Sequence, residues 1–559
     1  MKKFVLVLVM IAMAACNEKK RAVTEEVVLW TPYNDSAEVA ANKDHEIGRM
    51  QYKLIQSKVL DKNEVFRPLY SEVSKLGETE YNALKPMILE QDILTIRKHI
   101  QDNALTYEKL VLFYLYRIYK YELDNATTLN TVIALNGDVV AAARKLDELK
   151  RIGTVPEMQH PIFGMPILLK DNINTFGMKT TAGSIALMDN EVEDSFIVKE
   201  LKKNGALILG KVNLSEWAYF LCTGCPVGYS AYGGQTLNPY GRRIFETGGS
   251  SSGSGTAVAA NYAVAAVGTE TSGSILSPSS QNSVVGLKPT IGLLSRSGIV
   301  PISSTLDTPG PMTKNVIDNA ILLSAMLGHD ASDATSVKEQ FPGILSAGLH
   351  PEAFEEMRLG AIAELMETDS IYKETVERLQ NLGAHIITFT PPEVAMDGFL
   401  SILNVDMRND LPNYLLKNTD TNKVKIKSIA DAVRFNDADS LVRIPYGQAL
   451  FEGILMDSTS TDALEVVKST LETNGRKFFD EVMDAHQLDA VLSINNYHAG
   501  YAAVAKYPAL TVPMGYEPSG EPISLTFIGK PFTEAELLRL GAAFEKEFKA
   551  RVMPKGFQE

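Results

Sequence analysis

The 559-residue chain is poor in cysteine and in basic charge. A net charge of −14 argues against a nucleic-acid partner, because phosphate binding requires a basic surface. Cys222 and Cys225 form a C-x-x-C pair, but no neighbouring Cys or His supplies the further ligands of a tetrahedral metal site. We therefore expect no metal and no cofactor, and at this pair either a local disulfide or two free thiols in a loop.

The sequence also has no hydrophobic run of the ~20 residues that a transmembrane helix requires. Its first apolar run, residues 4–15, follows Lys2 and Lys3 and has the length of a secretory signal. The run ends in Met13-Ala14-Ala15-Cys16, which resembles a bacterial lipobox, with methionine where leucine is usual. We predict a signal peptide over residues 1–15 and lipidation of Cys16, which would tether the protein to a membrane outside the cytoplasm. A plain signal peptide or an uncleaved anchor are the alternatives.

No repeat period and no Pro-rich linker divides the rest of the chain. Short apolar runs at 165–172, 206–210, 384–389, 488–494 and 509–513 are typical of buried strands, and helical patterns lie between several of them. This alternation predicts an α/β fold whose sheet is covered on both faces. We expect a tether and N-terminal extension over 16–80, and one large domain over 81–559 with a probable insertion at 330–485.

One further strand pattern is more polar than these runs. In "PISLTFIG", residues 522–529, Ile523, Leu525 and Phe527 alternate with Ser524 and Thr526. Such alternation is typical of a strand with one exposed face, so we predict a half-covered or edge strand there.

The Gly/Ser-rich stretch "GGSSSGSG", residues 248–255, has the composition of a flexible linker. It runs directly into "TAVAANYAVAAV", which suits a tightly buried helix, and a second Gly/Ser-rich cluster follows at 268–280. Glycines in such a place permit unusual backbone angles or a close approach to a ligand. We interpret the two clusters as parts of a site and not as a spacer.

Two short nucleophile motifs also occur in the sequence. Residues 249–253 fit G-x-S-x-G, which would make Ser251 the nucleophile of an α/β-hydrolase, although no HGGG-type loop precedes it. Ser370 and Lys373 fit S-x-x-K within an amphipathic helix, without companion motifs, which indicates a chance match.

A longer pattern accounts for more residues than either motif. From Lys170 in "LLKDN" through "TGGSSSGSGTAVAANYAVAAVGTETSGSILSPSSQNSVVGLKPTIGLLSRSGIVPISSTLDTPGPM", the chain resembles the amidase signature family. "SEWAYF" and "GGQTLNPY" before this core, and "DAVLSINN" and "AKYPALTVPMGY" after it, extend the resemblance over about 450 residues. The resemblance implies the family's fold, a single large domain with a central, mixed, twisted sheet covered by helices on both faces.

The resemblance also implies a Ser–Ser–Lys catalytic triad. The lysine of the K-D-N turn matches Lys170, the first serine of G-G-S-S matches Ser250, and the nucleophile, 24 residues further on, matches Ser274. A lysine can accept a serine proton only where burial or positive potential disfavours its ammonium. Lys170 follows the apolar residues 167–169, at the end of a predicted buried strand, where α/β sheets place ligands.

By the same resemblance, Ser250 follows a cis peptide bond, and Gly248 and Gly249 give the backbone the freedom to form that turn. Ser251 is expected to support the site. The backbone N–H groups of the remaining turn are expected to form the oxyanion hole: Thr271, Ser272, Gly273 and Ser274.

The resemblance therefore predicts an amidase that cleaves a carboxylic or peptide amide through an acyl-enzyme on Ser274. Glu270, together with "GLKPTIGLLSRSGIVPIS", indicates the peptide amidase-like branch. Leu276, where many members have arginine, and the export signal weigh against a tRNA-dependent amidotransferase. The alternatives are a fatty-acid-amide or aryl-acylamide hydrolase, and a tethered binding protein without catalysis. We expect pocket walls from the insertion and from residues 225–235, and core or rim roles for Trp217 and His498.

Overall fold

The structure is a computed structural model that describes residues 27–154, 159–339, 341–348, 350–351 and 353–559. The predicted signal peptide and Cys16 lie outside these residues. Within the described ranges, no helix combines the length and apolarity needed to cross a membrane.

A mixed sheet of eleven strands forms the centre of the molecule, in the order β1-β3-β2-β6-β8-β7-β12-β13-β11-β9-β10. β4 and β5 form a separate two-stranded ribbon. The strand bounds are β1 Val132–Leu135, β2 Pro166–Lys170, β3 Leu207–Val212, β4 Tyr229–Ser230, β5 Gly234–Gln235, β6 Ala265–Glu270, β7 Val285–Lys288, β8 Thr308–Thr313, β9 Arg358–Ile362, β10 His385–Phe389, β11 Ala490–Ile494, β12 Ala509–Tyr516 and β13 Pro522–Ile528.

Helices cover both faces of this sheet, so the predicted fold class is confirmed. Their bounds are α1 Ser36–Ala41, α2 Lys62–Val73, α3 Glu78–Ile88, α4 Ile93–Gln101, α5 Tyr107–Glu122, α6 Val139–Arg151, α7 Phe196–Lys203, α8 Ser252–Ala259, α9 Leu276–Gln281, α10 Val316–Met326, α11 Gly343–Ala347, α12 Ala363–Thr368, α13 Ser370–Asn381, α14 Phe399–Asn418, α15 Ile429–Asp437, α16 Ser440–Arg443, α17 Ala449–Met456, α18 Thr461–His486, α19 Ala499–Ala505 and α20 Glu534–Phe548.

Two parallel neighbours in this sheet position the candidate site. β2 pairs in parallel with both β3 and β6, and every residue of the three strands is buried. Because the carboxyl ends of parallel strands meet at one edge of a sheet, the residues that follow β2 and β6 lie together.

The prediction of a half-covered or edge strand at residues 522–529 is wrong. β13 lies between β12 and β11, and all seven of its residues are buried. The Thr526 hydroxyl forms a hydrogen bond of 3.0 Å with the Thr511 hydroxyl, and it also donates to the Asn495 carbonyl. The polar residues of this alternating pattern therefore face a covered side on which the Thr526 hydroxyl has protein partners.

The region predicted as an insertion, 330–485, divides into two parts. β9 and β10 belong to the central sheet, where they pair with each other in parallel and β9 also pairs with β11. Side chains of α14, α15, α17 and α18 form a second hydrophobic cluster with the loop that contains Trp217. This second cluster is separate from the main core, whereas α11, α12 and α13 of the same region pack on the main core.

The predicted N-terminal extension is also packed against the body over its described part. Met50, Ile55, Phe66 and Leu69 are buried in the main hydrophobic core. The segment from residue 50 therefore contributes to the folded domain.

Candidate active site

The Lys170 side chain occupies a fully buried position at the end of β2. Its Nζ donates to the Ser250 hydroxyl at 2.7 Å, and to the hydroxyl and carbonyl oxygens of Thr269 at 2.8 and 3.1 Å. Burial lowers the pKa of Lys170 to about 7, although the negative charges of Asp307 and Glu270 act in the opposite direction. A large fraction of this lysine is therefore neutral near pH 7, as a proton acceptor must be.

The predicted cis peptide bond between Gly249 and Ser250 is confirmed. Gly248 has a φ of +62°, and a Cβ atom there would lie 2.7 Å from the backbone of Pro278. The turn therefore requires glycine at this position for its backbone angle and for space. The Ser250 carbonyl accepts the Ser215 N–H at 3.0 Å, which holds the turn from the other side.

Ser274 lies in the turn between β6 and α9, and it is the member of the predicted triad that reaches solvent. It is 8% exposed, whereas Lys170 and Ser250 are 0% exposed. The Ser274 carbonyl accepts the Ser251 N–H at 3.1 Å, which joins the two Gly/Ser-rich turns. Among the described residues, no hydrogen bond joins the hydroxyls of Ser250 and Ser274. Catalytic hydrogen bonds are often long in the absence of substrate.

Ser251 does not have the environment of a nucleophile. Its hydroxyl is fully buried, donates to the Thr269 carbonyl at 3.0 Å and accepts the Thr269 N–H at 3.2 Å. This geometry contradicts the α/β-hydrolase interpretation and agrees with the predicted supporting role. The S-x-x-K pair lies at the start of α13, with Lys373 53% exposed and 4.0 Å from Glu377, which agrees with a chance match.

The predicted oxyanion hole requires one correction. The Gly273 N–H donates to the Glu270 carboxylate at 2.6 Å, so it is not available to a substrate oxygen. Within the part of the chain that the structure describes, the N–H groups of Thr271, Ser272 and Ser274 have no hydrogen-bond partner. These three groups remain as predicted donors.

Three polar residues at the site were not singled out from the sequence. The Thr269 hydroxyl accepts both Lys170 Nζ and the Asn172 amide, the latter at 2.9 Å. Asp307 accepts the Thr271 hydroxyl at 2.5 Å, and burial raises the pKa of Asp307 to about 6. Asn172 lies at the end of the predicted strand at 165–172. Thr269 gave no such signal, because we predicted a buried helix over residues 256–267, whereas α8 ends at Ala259 and β6 begins at Ala265. Asp307 belongs to a distant loop and gave no such signal.

A cavity of about 450 Å³ opens beside these residues. Asn172, Thr269, Thr271 and Asp307 line its inner end. One face of α14 lines the opposite side, together with a loop over residues 296–304. The expected contribution of the insertion is therefore present, whereas no residue of 225–235 lines this cavity; the chain before that loop contributes Ala218.

The remaining residues of interest surround the site. Cys222 and Cys225 form a disulfide in the described structure. Trp217 is 1% exposed and its ring lies 5.3 Å from that of Phe451, so it has the predicted core role. His498 is partly buried, and its Nδ1 lies 2.6 Å from the Ser493 hydroxyl.

Comparison with known proteins agrees with this geometry. Residues 109–493 match the Amidase family. The chain is 35% identical over 485 residues to a probable amidase of Arabidopsis thaliana, covering 84% of this chain and 92% of that protein. The structure of an amidase family protein from Bacillus anthracis superposes with a TM-score of 0.83 at 35% identity, covering 90% of this chain and 100% of the other.

A second similar structure is that of an enzyme of named activity. Native peptide amidase from Stenotrophomonas maltophilia superposes with a TM-score of 0.77 at 34% identity, covering 84% of this chain and 99% of that chain. The fold and the site define an amide hydrolase. This chain belongs to the Amidase family, on its peptide amidase-like branch.

Proposed function

We propose that this enzyme hydrolyses amides, peptide amides in particular, through a Ser274–Ser250–Lys170 triad. The observation that carries the proposal is the fully buried Lys170 Nζ, 2.7 Å from the hydroxyl that follows the cis peptide bond. The likeness to peptide amidase supports the substrate class.

In the proposed reaction, the Ser274 oxygen forms a bond to the amide carbon. The Ser274 proton passes to Ser250, while Ser250 gives its own proton to neutral Lys170. The N–H groups of Thr271, Ser272 and Ser274 are the proposed donors to the resulting oxyanion. When the C–N bond breaks, the proton returns through Ser250 to the leaving nitrogen, and an ester remains on Ser274. Water then attacks this ester and gives a proton to the same relay. The bond between the acyl carbon and the Ser274 oxygen breaks, the relay returns the proton to Ser274, and the acid is released.

A serine-directed fluorophosphonate tests the nucleophile. We expect one adduct per chain, on the peptide that contains Ser274, and none in the Ser274→Ala variant. An adduct on Ser251 would contradict the proposal. Ser252→Ala is a matched control, because Ser252 is a buried serine of the neighbouring turn whose hydroxyl donates to the Gly248 carbonyl at 2.7 Å.

Ammonia release from peptide amides, fatty amides and anilides tests the substrate class. We expect kcat/KM to be largest for C-terminal peptide amides. A preference for long-chain fatty amides would favour the alternative substrate, and labelling without turnover of any amide would favour a binding role.

We also propose that the chain is exported and anchored through a lipid on Cys16. The support is the basic start, the apolar run over 4–15 and the lipobox-like sequence around Cys16. Cys16→Ser should move the protein from the membrane fraction to the soluble fraction after expression in a bacterium. Unchanged membrane association would contradict the anchor.

A further inference from the structure

A single carboxylate holds most of the backbone of the turn that carries Ser274. Glu270 is the last residue of β6 and is 1% exposed. Its Oε1 accepts the Gly273 N–H at 2.6 Å, and its Oε2 accepts the N–H groups of Ile275 and Leu276 at 2.7 and 3.0 Å. Three of the four N–H groups from residue 273 to residue 276 therefore end on one side chain.

These contacts satisfy groups that the local structure leaves without partners. The first N–H groups of a helix have no acceptor within the helix, and α9 begins at Leu276. A carboxylate that accepts several N–H groups forms shorter and stronger hydrogen bonds than a neutral oxygen does. Glu270 therefore fixes the end of the turn to the end of the strand that precedes it.

One N–H group between residues 273 and 276, that of Ser274, does not donate to Glu270. The groups on either side of Ser274 donate to Glu270, whereas the Ser274 N–H has no partner among the described residues. The N–H that the nucleophile offers to an oxyanion is thereby separated from the N–H groups that hold the turn.

A buried lysine accompanies this carboxylate. Lys288, in β7, is fully buried, and the negative charges of Glu270 and Glu534 act to raise its pKa, against the lowering caused by burial. Burying a carboxylate is costly unless hydrogen bonds and a nearby cation compensate for the lost water. Glu270 has three such hydrogen bonds, and the charge of Lys288 lies near enough to interact with it.

We propose that Glu270 is a positioning residue, which sets the geometry of the Ser274 turn for acylation by clamping the N–H groups of Gly273, Ile275 and Leu276. This role rests on the proposed function, because it assigns to Ser274 the nucleophilic oxygen. Glu270 does not touch the substrate. It acts through the backbone that carries Ser274 and the predicted oxyanion donors.

Two substitutions separate the effect of the Glu270 charge from that of the length of its side chain. Glu270→Gln keeps the size of the side chain but replaces one acceptor with an NH₂ group, which opposes either Gly273 or the pair at 275 and 276. We expect kcat to fall about 100-fold with little change in KM, as for a reacting group displaced by about 1 Å. Glu270→Asp keeps the charge and should recover at least about tenfold of that loss.

A matched control separates positioning from general loss of stability. Glu545 also accepts a backbone N–H at the start of a helix, that of Val316 in α10, at 3.0 and 3.2 Å, and it does not line the cavity. We expect Glu545→Gln to lower the melting temperature while kcat stays within about threefold of wild type. If both glutamine variants lose activity in proportion to stability, Glu270 is only a structural residue and the proposal fails.

Hydrogen exchange gives a reading that does not depend on activity. In wild type, the amides of Gly273, Ile275 and Leu276 should exchange slowly, and Glu270→Gln should remove this protection while Glu545→Gln leaves it unchanged. Equal protection in Glu270→Gln and wild type would overturn the clamp. Absence of fluorophosphonate labelling at Ser274 in wild type would instead overturn the proposed function, so the two failures are distinguishable.

Discussion

The two walls of the cavity differ in how far their side chains are already committed to partners within the protein. On the inner wall, Thr269 is bonded to Lys170, Asn172 and Ser251. On the outer wall, the exposed Lys417 of α14 has no ion pair among the described residues, whereas the Asn413 amide donates to the Asn409 carbonyl at 3.0 Å. The inner wall is held by these hydrogen bonds before substrate arrives, whereas Lys417 on the outer wall is free to respond to a charged substrate. Arg296 and Asp410, on the same outer wall, already have protein partners. Chemistry and substrate choice should therefore be separable by mutation.

The largest effect is expected from the inner wall. Lys170→Met removes the proton acceptor but keeps a buried side chain of similar length, and we expect kcat to fall by about 10³-fold or more. Steady-state kinetics on the best amide, together with a melting curve, measure the two effects separately.

Lys211→Met is the control for this variant. Lys211 is another fully buried lysine, on the neighbouring strand β3, and its Nζ lies 3.1 Å from Asp171. Its loss leaves a buried carboxylate unpaired, so stability should fall by about 3–5 kcal/mol. A Lys170→Met enzyme that kept a tenth of wild-type kcat would show that Lys170 is not the base.

The pH profile sharpens the same comparison. The pKa of Lys170 is lowered to about 7, and only the neutral amine accepts a proton. Therefore kcat/KM should rise as pH increases through about 7 and level off above it, instead of rising near the ordinary lysine value of 10.5.

The Asp307→Asn variant tests whether the titration of Lys170 causes this rise in kcat/KM with pH. The Asp307 charge raises the pKa of Lys170, so its removal should move the midpoint to lower pH. Burial raises the pKa of Asp307 itself to about 6. If kcat/KM of the variant no longer rose with pH, the titration of Asp307, and not that of Lys170, would cause the rise.

The sequence predicted Lys170, Ser250, Ser274 and Thr271, but it did not single out Asn172, Thr269 or Asp307, the other three residues of the inner wall. The run Ile167–Leu169 predicted the buried strand that ends at Lys170, and the spacing between the two Gly/Ser-rich turns matched the family. Thr269 was missed although it belongs to the same motif, because its role depends on the parallel pairing of β2 with β6, which only the fold reveals. The engagement of the Gly273 N–H by Glu270 was missed for a related reason. Both residues belong to one motif, and the sequence does not tell which backbone group a side chain reaches.

The outer wall was predictable only as a region. The sequence placed an insertion at 330–485 and predicted a buried strand at 384–389; this run is β10, but it is the edge strand of the sheet and none of its residues is buried. The sequence gave no sign of β9, or that α14 would face the cavity. Sequence alternation also failed at β13, where Ser524 and Thr526 are buried in the middle of the sheet. Periodicity reports which residues share a face, and it does not report whether another layer covers that face.

A charge reversal on the outer wall should change substrate preference and leave the chemistry intact. Lys417→Glu replaces an exposed cation at the cavity with an anion. For amides with a carboxylate on the side chain, kcat/KM should fall up to about tenfold, while amides with an ammonium group should gain by a similar factor. Neutral amides should keep their kcat.

Lys373→Glu is the matched control, since Lys373 is an exposed lysine of α13 that does not line the cavity. It should leave all three substrates unchanged. Equal effects of the two variants would mean that overall charge, and not the α14 wall, governs the preference. High salt should weaken the effect of Lys417→Glu, because exposed charges are screened.

The smallest effect is expected from the disulfide, which lies close to the outer wall without forming part of it. Cys222 and Cys225 are three residues apart, so the loop that they close is short. Chain entropy assigns such a loop a stabilisation of about 2 kcal/mol. The double variant Cys222→Ser, Cys225→Ser should lose about that much free energy of unfolding in a urea titration. Neither cysteine lines the cavity, and the neighbouring chain contributes only Ala218 to its lining. We therefore expect KM to change less than it does in Lys417→Glu. A change in KM larger than that of Lys417→Glu would mean that this loop, and not α14, forms the outer wall.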